Sequence, residues 1–283
     1  VKVVLTGEGS DELFGGYSRY RHYLEARRWA SAWGAFPGPL RRTVSSRIST
    51  TRLLSADLRR KLQHTFLARE LTVESLYVDN FYGGFAEIEN LFPRLSGMAG
   101  RYKNFRDRWE QRAQSSPLTQ MLYADQKTYM VELLMKQDQM SMSCSIESRV
   151  PFLDHPLVEF AARVPDRLKI RGGVGKYIIK EAVAGFVPAE LLHRPKMGFP
   201  TPLRPWLLDP ASQPLLDSLT DRNGILDSFT DRAALASLIA RHRAGQEDAT
   251  DRLWRLLNLQ IWGDVFLTGR RERWIHEDSL AKS

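Results

Sequence analysis

Between residues 6 and 17 the chain reads Thr-Gly-Glu-Gly-Ser-Asp-Glu-Leu-Phe-Gly-Gly-Tyr. Gly7 and Gly9 let backbone N–H groups approach a phosphate closely. Three carboxylates, Glu8, Asp11 and Glu12, share the same turn. They repel a bare phosphate but accept one that carries Mg²⁺, because hard carboxylate oxygens suit that ion. The composition therefore suggests a nucleotide–magnesium site. An equal reading is a glycine turn with acidic residues opening a helix, favoured by the helix dipole by ~0.3–1 kcal/mol.

Two other stretches offer cations. Lys196 lies in His193-Arg-Pro-Lys-Met-Gly-Phe-Pro-Thr-Pro202, where three prolines exclude regular structure. A lysine there can reach a phosphate, although a solvated loop lysine is the commoner case. Lys136 and Asp138 sit in the Met- and Leu-rich run Leu133–Met142. Lys136 either pairs with Glu132 one helical turn earlier or points into a site. Glu147 and Arg149 are ambiguous in the same way.

Several familiar chemistries are excluded. Gly7-x-Gly9 lacks the third glycine of a dinucleotide fingerprint, and no Lys-Ser/Thr follows it as in a Walker loop. Arg171-Gly-Gly-Val-Gly-Lys-Tyr177 imitates a phosphate loop, but Ile170 and Tyr177 stand where glycine and a hydroxyl residue belong; it reads as a turn opening a helix. The six histidines show no ligand spacing, and there is no Gly-x-Ser-x-Gly elbow. Cys144, the one cysteine, rules out an internal disulfide and reads as a buried, inert thiol.

The elements that must position these groups are legible in outline. Val1–Leu5 is short and β-branched, and reads as a buried strand of a parallel sheet with the acidic turn at its carboxyl end, where open α/β sheets bind ligands. Helices are predicted over 18–33, 56–67 and 101–114, with a loop at 80–84. Ser116 as N-cap with Pro117 at the first position starts a helix expected to run to about Gln137. Asp154 caps a helix over 155–163, which Val164-Pro165 stops. Further helices are expected near 175–185, 188–193, 231–243 and 251–267, with a fraying tail over 272–283. The order is one strand, then helices: an α/β fold passing into mostly α. Three regions follow: 1–16 with the strand and ligand turn, a helical basic region 17–115, and a helical part 116–283. A single strand cannot stand alone, so strands are expected upstream, and Val as first residue points to a fragment.

The 283 residues carry 41 Lys and Arg against 33 Asp and Glu. Residues 1–115 hold 19 of the former and 12 of the latter, so the basic excess sits early. Without a stacking ladder or zinc-finger spacing, this reads as solvated helix faces, and a nucleic-acid partner is disfavoured. No run of 18 apolar residues is present, so no membrane partner or span is expected. A soluble, cytoplasmic setting is the default.

Four motifs, in order, resemble the synthetase domain of glutamine-hydrolysing asparagine synthetases: LTGEGSDELFGGY; Lys127-Thr-Tyr followed by Leu-Leu-Met-Lys-Gln-Asp-Gln-Met-Ser-Met; Ser145-Ile-Glu-Ser-Arg-Val-Pro-Phe-Leu-Asp-His155; and Arg194-Pro-Lys-Met-Gly-Phe-Pro. The resemblance covers about residues 1–210. It implies an adenine-nucleotide α-hydrolase-like (ATP-pyrophosphatase) fold, of which this chain is the helix-rich C-terminal portion. It implies ATP and Mg²⁺ as cofactors, and aspartate, ATP and glutamine-derived ammonia as substrates. Aspartate attacks the α-phosphate to give β-aspartyl-AMP and pyrophosphate, and ammonia then displaces AMP. Carried over, Thr6, Gly7, Gly9 and Ser10 bind ATP or AMP, and Glu8 is the essential acid beside the acyl-adenylate. Asp11 holds Mg²⁺–pyrophosphate, Lys196 binds the α-phosphate, and Glu12, Lys136 and Asp138 line the site. A homodimer is a candidate assembly.

The departures are specific. The family's Ser-Gly-Gly-x-Asp-Ser pyrophosphate loop and its N-terminal glutaminase cysteine are absent from the 283 residues. Thr6 replaces a usual Ser, Gln139 a common Arg, and Met130-Val131 a frequent Leu-Pro. The chain is expected to be the C-terminal part of such an enzyme, inactive alone. The alternatives are a relative adenylating another carboxylate, such as a β-lactam synthetase or an asparagine-synthetase-like amidotransferase modifying a peptide or polysaccharide, and a non-catalytic split or degenerate subunit.

Overall fold

A computed structural model describes residues 1–50, 58, 62, 65–79, 88–95, 100, 102–194 and 201–274. The chain divides into two units, Val1–Tyr82 with Gly100–Pro195, and Gly83–Ala99 with Lys196–Ser283.

The first unit opens with β1 (Val3–Leu5), followed by α1 (Ser10–Phe14), α2 (Ser18–Gly34) and α3 (Gly38–Thr50). It continues through a π-helical turn at Glu74–Val78 to α4 (Lys103–Glu110), α5 (Pro117–Lys127) and α6 (Tyr129–Ser143). Then come β2 (Glu147–Arg149), α7 (His155–Arg163), α8 (Asp166–Lys169), α9 (Tyr177–Val183) and α10 (Ala189–His193). The predicted helix over 56–67 and the loop at 80–84 lie largely or wholly outside the described residues.

β1 and β2 pair in parallel, with Val3 opposite Glu147 and Leu5 opposite Arg149. Thr6 N donates to Arg149 O at 2.9 Å, so the ladder ends where the acidic turn begins. The polar triplet Glu-Ser-Arg has no hydrophobic alternation, which is why β2 was not expected; a single strand was. The expected burial of β1 also fails: Leu5 is 71% exposed, and Val3 too is open to solvent. Parallel sheets normally bury both faces, but among the described residues β2 is the only strand beside β1.

Ser116 caps α5 as the sequence requires, its Oγ accepting from Thr119 N at 3.1 Å. The single helix expected to Gln137 is instead two. Thr128 leaves helical geometry (φ −125°, ψ −75°), while its hydroxyl donates back to Ala124 O at 2.7 Å, a hydroxyl bond that competes with the helical ladder. Asp154 stands at the N-cap of α7 but makes no side-chain cap bond. Cys144 is exposed rather than buried, because it terminates α6 at a solvent-facing end.

Two apolar clusters hold this unit. Tyr20, Tyr23, Tyr77, Phe105, Leu118, Met121 and Leu122 join α2, α4 and α5 around the π-helical turn. Leu13 and Phe14 of α1 pack with Ala161 and Val164, against Leu153, Leu157 and Ile178. The short α1 is therefore anchored from below by its apolar half, which leaves its acidic half at the turn.

The second unit contains a short helix Ile88–Leu91, α11 (Leu203–Leu208), α12 (Gln213–Asp217), α13 (Arg232–Arg243) and α14 (Thr250–Phe266). Asp231 caps α13, its carboxylate accepting from Ala234 N at 2.7 Å. Leucines 216, 219, 226, 235, 238, 253, 256 and 257 form its core. Asp264, fully buried, is neutralised by Arg270 at 2.6 Å and accepts from Trp274 Nε1 at 2.9 Å.

Candidate functional site: an acidic turn closed by a distant lysine

The turn between β1 and α1 is built by glycine. Gly9, the residue before α1, has φ +87°, and a Cβ there would lie 2.3 Å from Leu153 Cδ2. Only glycine meets both demands. Gly7 is exposed with open space around it, so its backbone can be approached from outside. Its carbonyl accepts from Ser10 Oγ at 2.8 Å, which tightens the turn. Thr6 Oγ1 accepts from Gln137 Nε2 at 2.8 Å, and the same amide donates to Ser148 Oγ, so α6 is tied to the end of both strands.

The three carboxylates have different fates. Glu8 is half-buried and makes no hydrogen bond or ion pair with the described residues. Asp11 lies at the mouth of the turn, with Lys176 Nζ 3.0 Å from its Oδ2. Lys176 also donates to Ser10 Oγ at 2.8 Å. Glu12 turns inward and is fully buried. Tyr17 donates to its Oε1 at 2.7 Å and Gln126 to its backbone carbonyl at 3.0 Å, while Oε2 has no partner among the described residues. Burial pushes its carboxyl up, against the lowering pull of the Tyr17 bond. Burial likewise pushes the Tyr17 hydroxyl far up, reinforced by the bond to Glu12. Glu12 thus braces the turn from below.

Lys176 is the residue that sequence reasoning missed. The segment 171–177 does open a helix, α9, as expected, with Lys176 as the residue before it. It also folds back on the acidic turn: Lys176 N donates to Phe14 O at 3.1 Å. Lys176 has φ +54°, a left-handed conformation that a lysine adopts at a cost of order 1 kcal/mol and keeps only where its surroundings fix it. Gly16 makes room for this contact, since a Cβ there would sit 2.0 Å from Asp11 Oδ1 and 2.2 Å from Lys176 Cε. The three glycines before Lys176 were the visible signal; its pairing across more than 160 positions was not.

Below the turn, Arg19 anchors α2. Its guanidinium lies 4.3 Å from the Tyr17 ring centre and 4.5 Å from that of Tyr129, and it pairs with Asp125 at 2.6 Å. Tyr20 and Tyr77 each donate to the same Asp125 oxygen at 2.7 Å.

The remaining predicted site residues are placed apart from this cluster. Lys136 is exposed and makes no ion pair with Glu132; with Thr128, Val131, Met135 and Gln139 it lines an open depression of about 420 Å³ along α6. Asp138 is exposed on the same helix. Lys196 lies outside the described residues. The structure therefore brings together Thr6, Gly7, Gly9, Ser10, Asp11 and Glu12, and adds Lys176 and Gln137.

The donor set suits Mg²⁺ in one particular way. Among the described residues no group of three or more His, Cys, Asp or Glu side chains forms a metal cage. Asp11 offers one partly exposed carboxylate, shared with Lys176, and Mg²⁺ commonly takes one or two carboxylates and completes its shell with phosphate oxygens and water. No described helix is long and apolar enough to cross a membrane.

A family model described as asparagine synthase matches residues 1–264. A Mycobacterium tuberculosis protein named "Putative asparagine synthetase (glutamine-hydrolyzing)" is 34% identical over 94% of this chain and 40% of its own length. Asparagine synthetase (glutamine-hydrolyzing) 1 of Bacillus subtilis is 30% identical over 95% of this chain and 41% of its own. Amidase chyE of Penicillium rubens is 27% identical over 79% of this chain. The chain thus spans about two fifths of the length of the asparagine synthetases it matches. No solved structure matches it.

Proposed function

The chain belongs to the asparagine synthase family, and on that premise we propose that it is the C-terminal part of an ATP-dependent amide-forming synthetase with an adenine-nucleotide α-hydrolase-like core. The reaction we assign to the whole protein is conversion of aspartate to asparagine. The aspartate side-chain carboxylate attacks the α-phosphorus of ATP, the bond to the β-phosphate oxygen breaks, and pyrophosphate leaves. Ammonia from glutamine then attacks the acyl carbon, loses a proton, and releases AMP.

One observation carries this reading: an acidic glycine turn at the carboxyl end of a parallel strand, with an ammonium held against its central carboxylate. Mg²⁺, when bound, supplies positive charge between the carboxylates and the polyphosphate. Asp11 is the residue that would hold it. Lys176, within reach of Ser10 and Asp11, faces charge that grows on the departing pyrophosphate, where a preorganised cation acts most strongly. The exposed Gly7 backbone and the Thr6 hydroxyl bind the nucleotide. Glu8, which has no ion pair among the described residues, is the group available to orient or deprotonate the incoming amine. Lys196 is assigned to the α-phosphate, while Lys136 and Asp138 line the approach along α6.

Aspartate-dependent exchange of labelled pyrophosphate into ATP tests the reading. The expected result is exchange by the chain joined to the segment encoded upstream of it, and none by residues 1–283 alone, which lack the Ser-Gly-Gly-x-Asp-Ser loop. Exchange by the isolated chain overturns its role as an incomplete part. Absence of exchange from the joined protein with aspartate, but exchange with another carboxylic acid, replaces the substrate and keeps the chemistry.

A further inference from the structure

The two faces of the β1–β2 ladder differ in cover. Val4 sits opposite Ser148, and alternate residues of a strand share a face, so Val4, Thr6 and Ser148 point one way. All three are half-buried, whereas Val3, Leu5, Glu147 and Arg149 on the other face are exposed. Helix α6 covers the first face, and its Gln137 reaches both Thr6, just past β1, and Ser148 in β2. Gln137 Nε2 donates to Thr6 Oγ1 at 2.8 Å and to Ser148 Oγ. Its Oε1 is buried and has no hydrogen-bond partner among the described residues.

The direction of these two bonds has a chemical consequence. An amide nitrogen carries two hydrogens, and both are spent here, one on each hydroxyl. With the amide reversed, its oxygen would accept from both hydroxyls, but two N–H donors rather than one oxygen would be buried without partners. The hydroxyls of Thr6 and Ser148 are therefore acceptors toward Gln137, and each keeps its own proton. Neither proton has an acceptor among the described residues. Thr6 thus presents a free O–H donor at the carboxyl end of β1, next to the exposed Gly7.

We propose that Gln137 is a positioning residue of the nucleotide site. By donating to Thr6 it turns the Thr6 hydroxyl proton away from α6, toward a phosphate oxygen of ATP, and by donating to Ser148 it fixes that direction to the strand pair. This role rests on the nucleotide site proposed above and adds a residue from outside the acidic turn. Methionine in its place would fill similar space but leave the Thr6 hydroxyl free to rotate. Glutamate would accept the hydroxyl proton and withdraw it from the ligand. Burying Oε1 without a partner is unfavourable, and an apolar residue would avoid it; what the amide adds is a nitrogen with two donors.

The test uses the chain joined to the segment encoded upstream of it. Equilibrium dialysis reads its affinity for Mg²⁺–ATP, and aspartate-dependent pyrophosphate exchange is followed over a range of ATP concentrations. Gln137→Glu should weaken ATP binding about 10-fold, the size of one hydrogen bond to a charged group, and Gln137→Met about 3-fold. Exchange at saturating ATP should stay within about 2-fold of the parent in both, because the loss is one of binding. Thr6→Val should itself weaken binding about 10-fold, and either Gln137 substitution should then add less than about 2-fold, since both act through one hydroxyl. A mere tie between α6 and the strands predicts the opposite order, with Gln137→Glu, which still bonds both hydroxyls, near the parent and Gln137→Met weaker. That order overturns the proposal. So does a Gln137→Glu effect that persists in full beside Thr6→Val, which would be charge repulsion of the phosphates. Because Gln137→Glu keeps both bonds, the test holds even if Gln137→Met fails to fold. A joined protein that binds no ATP overturns the nucleotide site and this role with it. ATP binding with the stated coupling, but exchange only with another carboxylic acid, upholds the role and changes the substrate.

Discussion

Lys176 Nζ lies 3.0 Å from Asp11 Oδ2 and 2.8 Å from Ser10 Oγ, joining two glycine-rich turns that begin different helices. The contact explains how three acidic residues can share one turn. Glu12 goes inward to Tyr17, Asp11 takes an ammonium, and among the described residues Glu8 has no ion pair or hydrogen bond. In the joined protein proposed for the exchange assay, Lys176→Met should lower pyrophosphate exchange about 10²–10³-fold, the usual effect of removing one group that meets developing charge. Lys176→Arg should recover part of it. The thermal midpoint should move little, because the pair is partly open to water. Parent-like exchange in Lys176→Met would leave the contact a surface ion pair only.

Arg19 and Asp125 should behave differently, because they are buried. Asp125 receives Arg19, Tyr20 and Tyr77 on one oxygen. Replacing it by Leu removes the carboxylate on which a guanidinium and two hydroxyls converge beside an aromatic core. A loss of about 3–5 kcal/mol is expected, read by urea denaturation. A loss below about 1 kcal/mol would mean that Arg19 escapes to water.

Several helices of both units, though not α11 or α12, were legible because their limits are written locally. Ser116-Pro117 and Asp231 are cap chemistry, and Val164-Pro165 is a stop. The acidic turn was legible for a similar reason, as glycine and carboxylate crowd into a few positions. What escaped was non-local or conditional. β2 forms from Glu147, Ser148 and Arg149 because β1 presents a partner ladder, and nothing in their own pattern asks for a strand. Thr128 divides α5 from α6 through one hydroxyl bond that composition does not announce. Lys176 reaches Asp11 only after the chain has folded back. Cys144 was misjudged because its exposure depends on where α6 ends, not on its type.

The exposed β1 gives a further expectation. With β2 as its one described neighbour and Leu5 open to solvent, its apolar side chains lack cover. Amide exchange at Val3–Leu5 should be much faster than in α5, and an apolar dye should bind the 283-residue chain. Leu5→Lys should reduce that binding. Slow exchange at β1 together with no dye binding would mean that the edge is covered.

Glu247 supplies a pH test in the second unit. Its Oε2 accepts from Arg241 Nε at 2.8 Å, and its Oε1 accepts from Arg252. Partial burial raises its carboxyl pKa, but the two guanidinium bonds outweigh that and hold it below the ordinary value of 4.5. A carboxyl whose folded pKa is depressed binds its proton more weakly when folded than when unfolded. Its contribution is therefore full above 4.5 and is lost as pH falls through the folded value. Glu247→Gln should cost about 1–2 kcal/mol near pH 7, a charged hydrogen-bond contribution reduced for a side chain about a quarter exposed. Chemical denaturation at a series of pH values should show the parent and variant stabilities converging below pH 4.5. A difference that stays constant down to about pH 3, well below the ordinary carboxylate range, would assign the effect of Glu247 to packing rather than to charge.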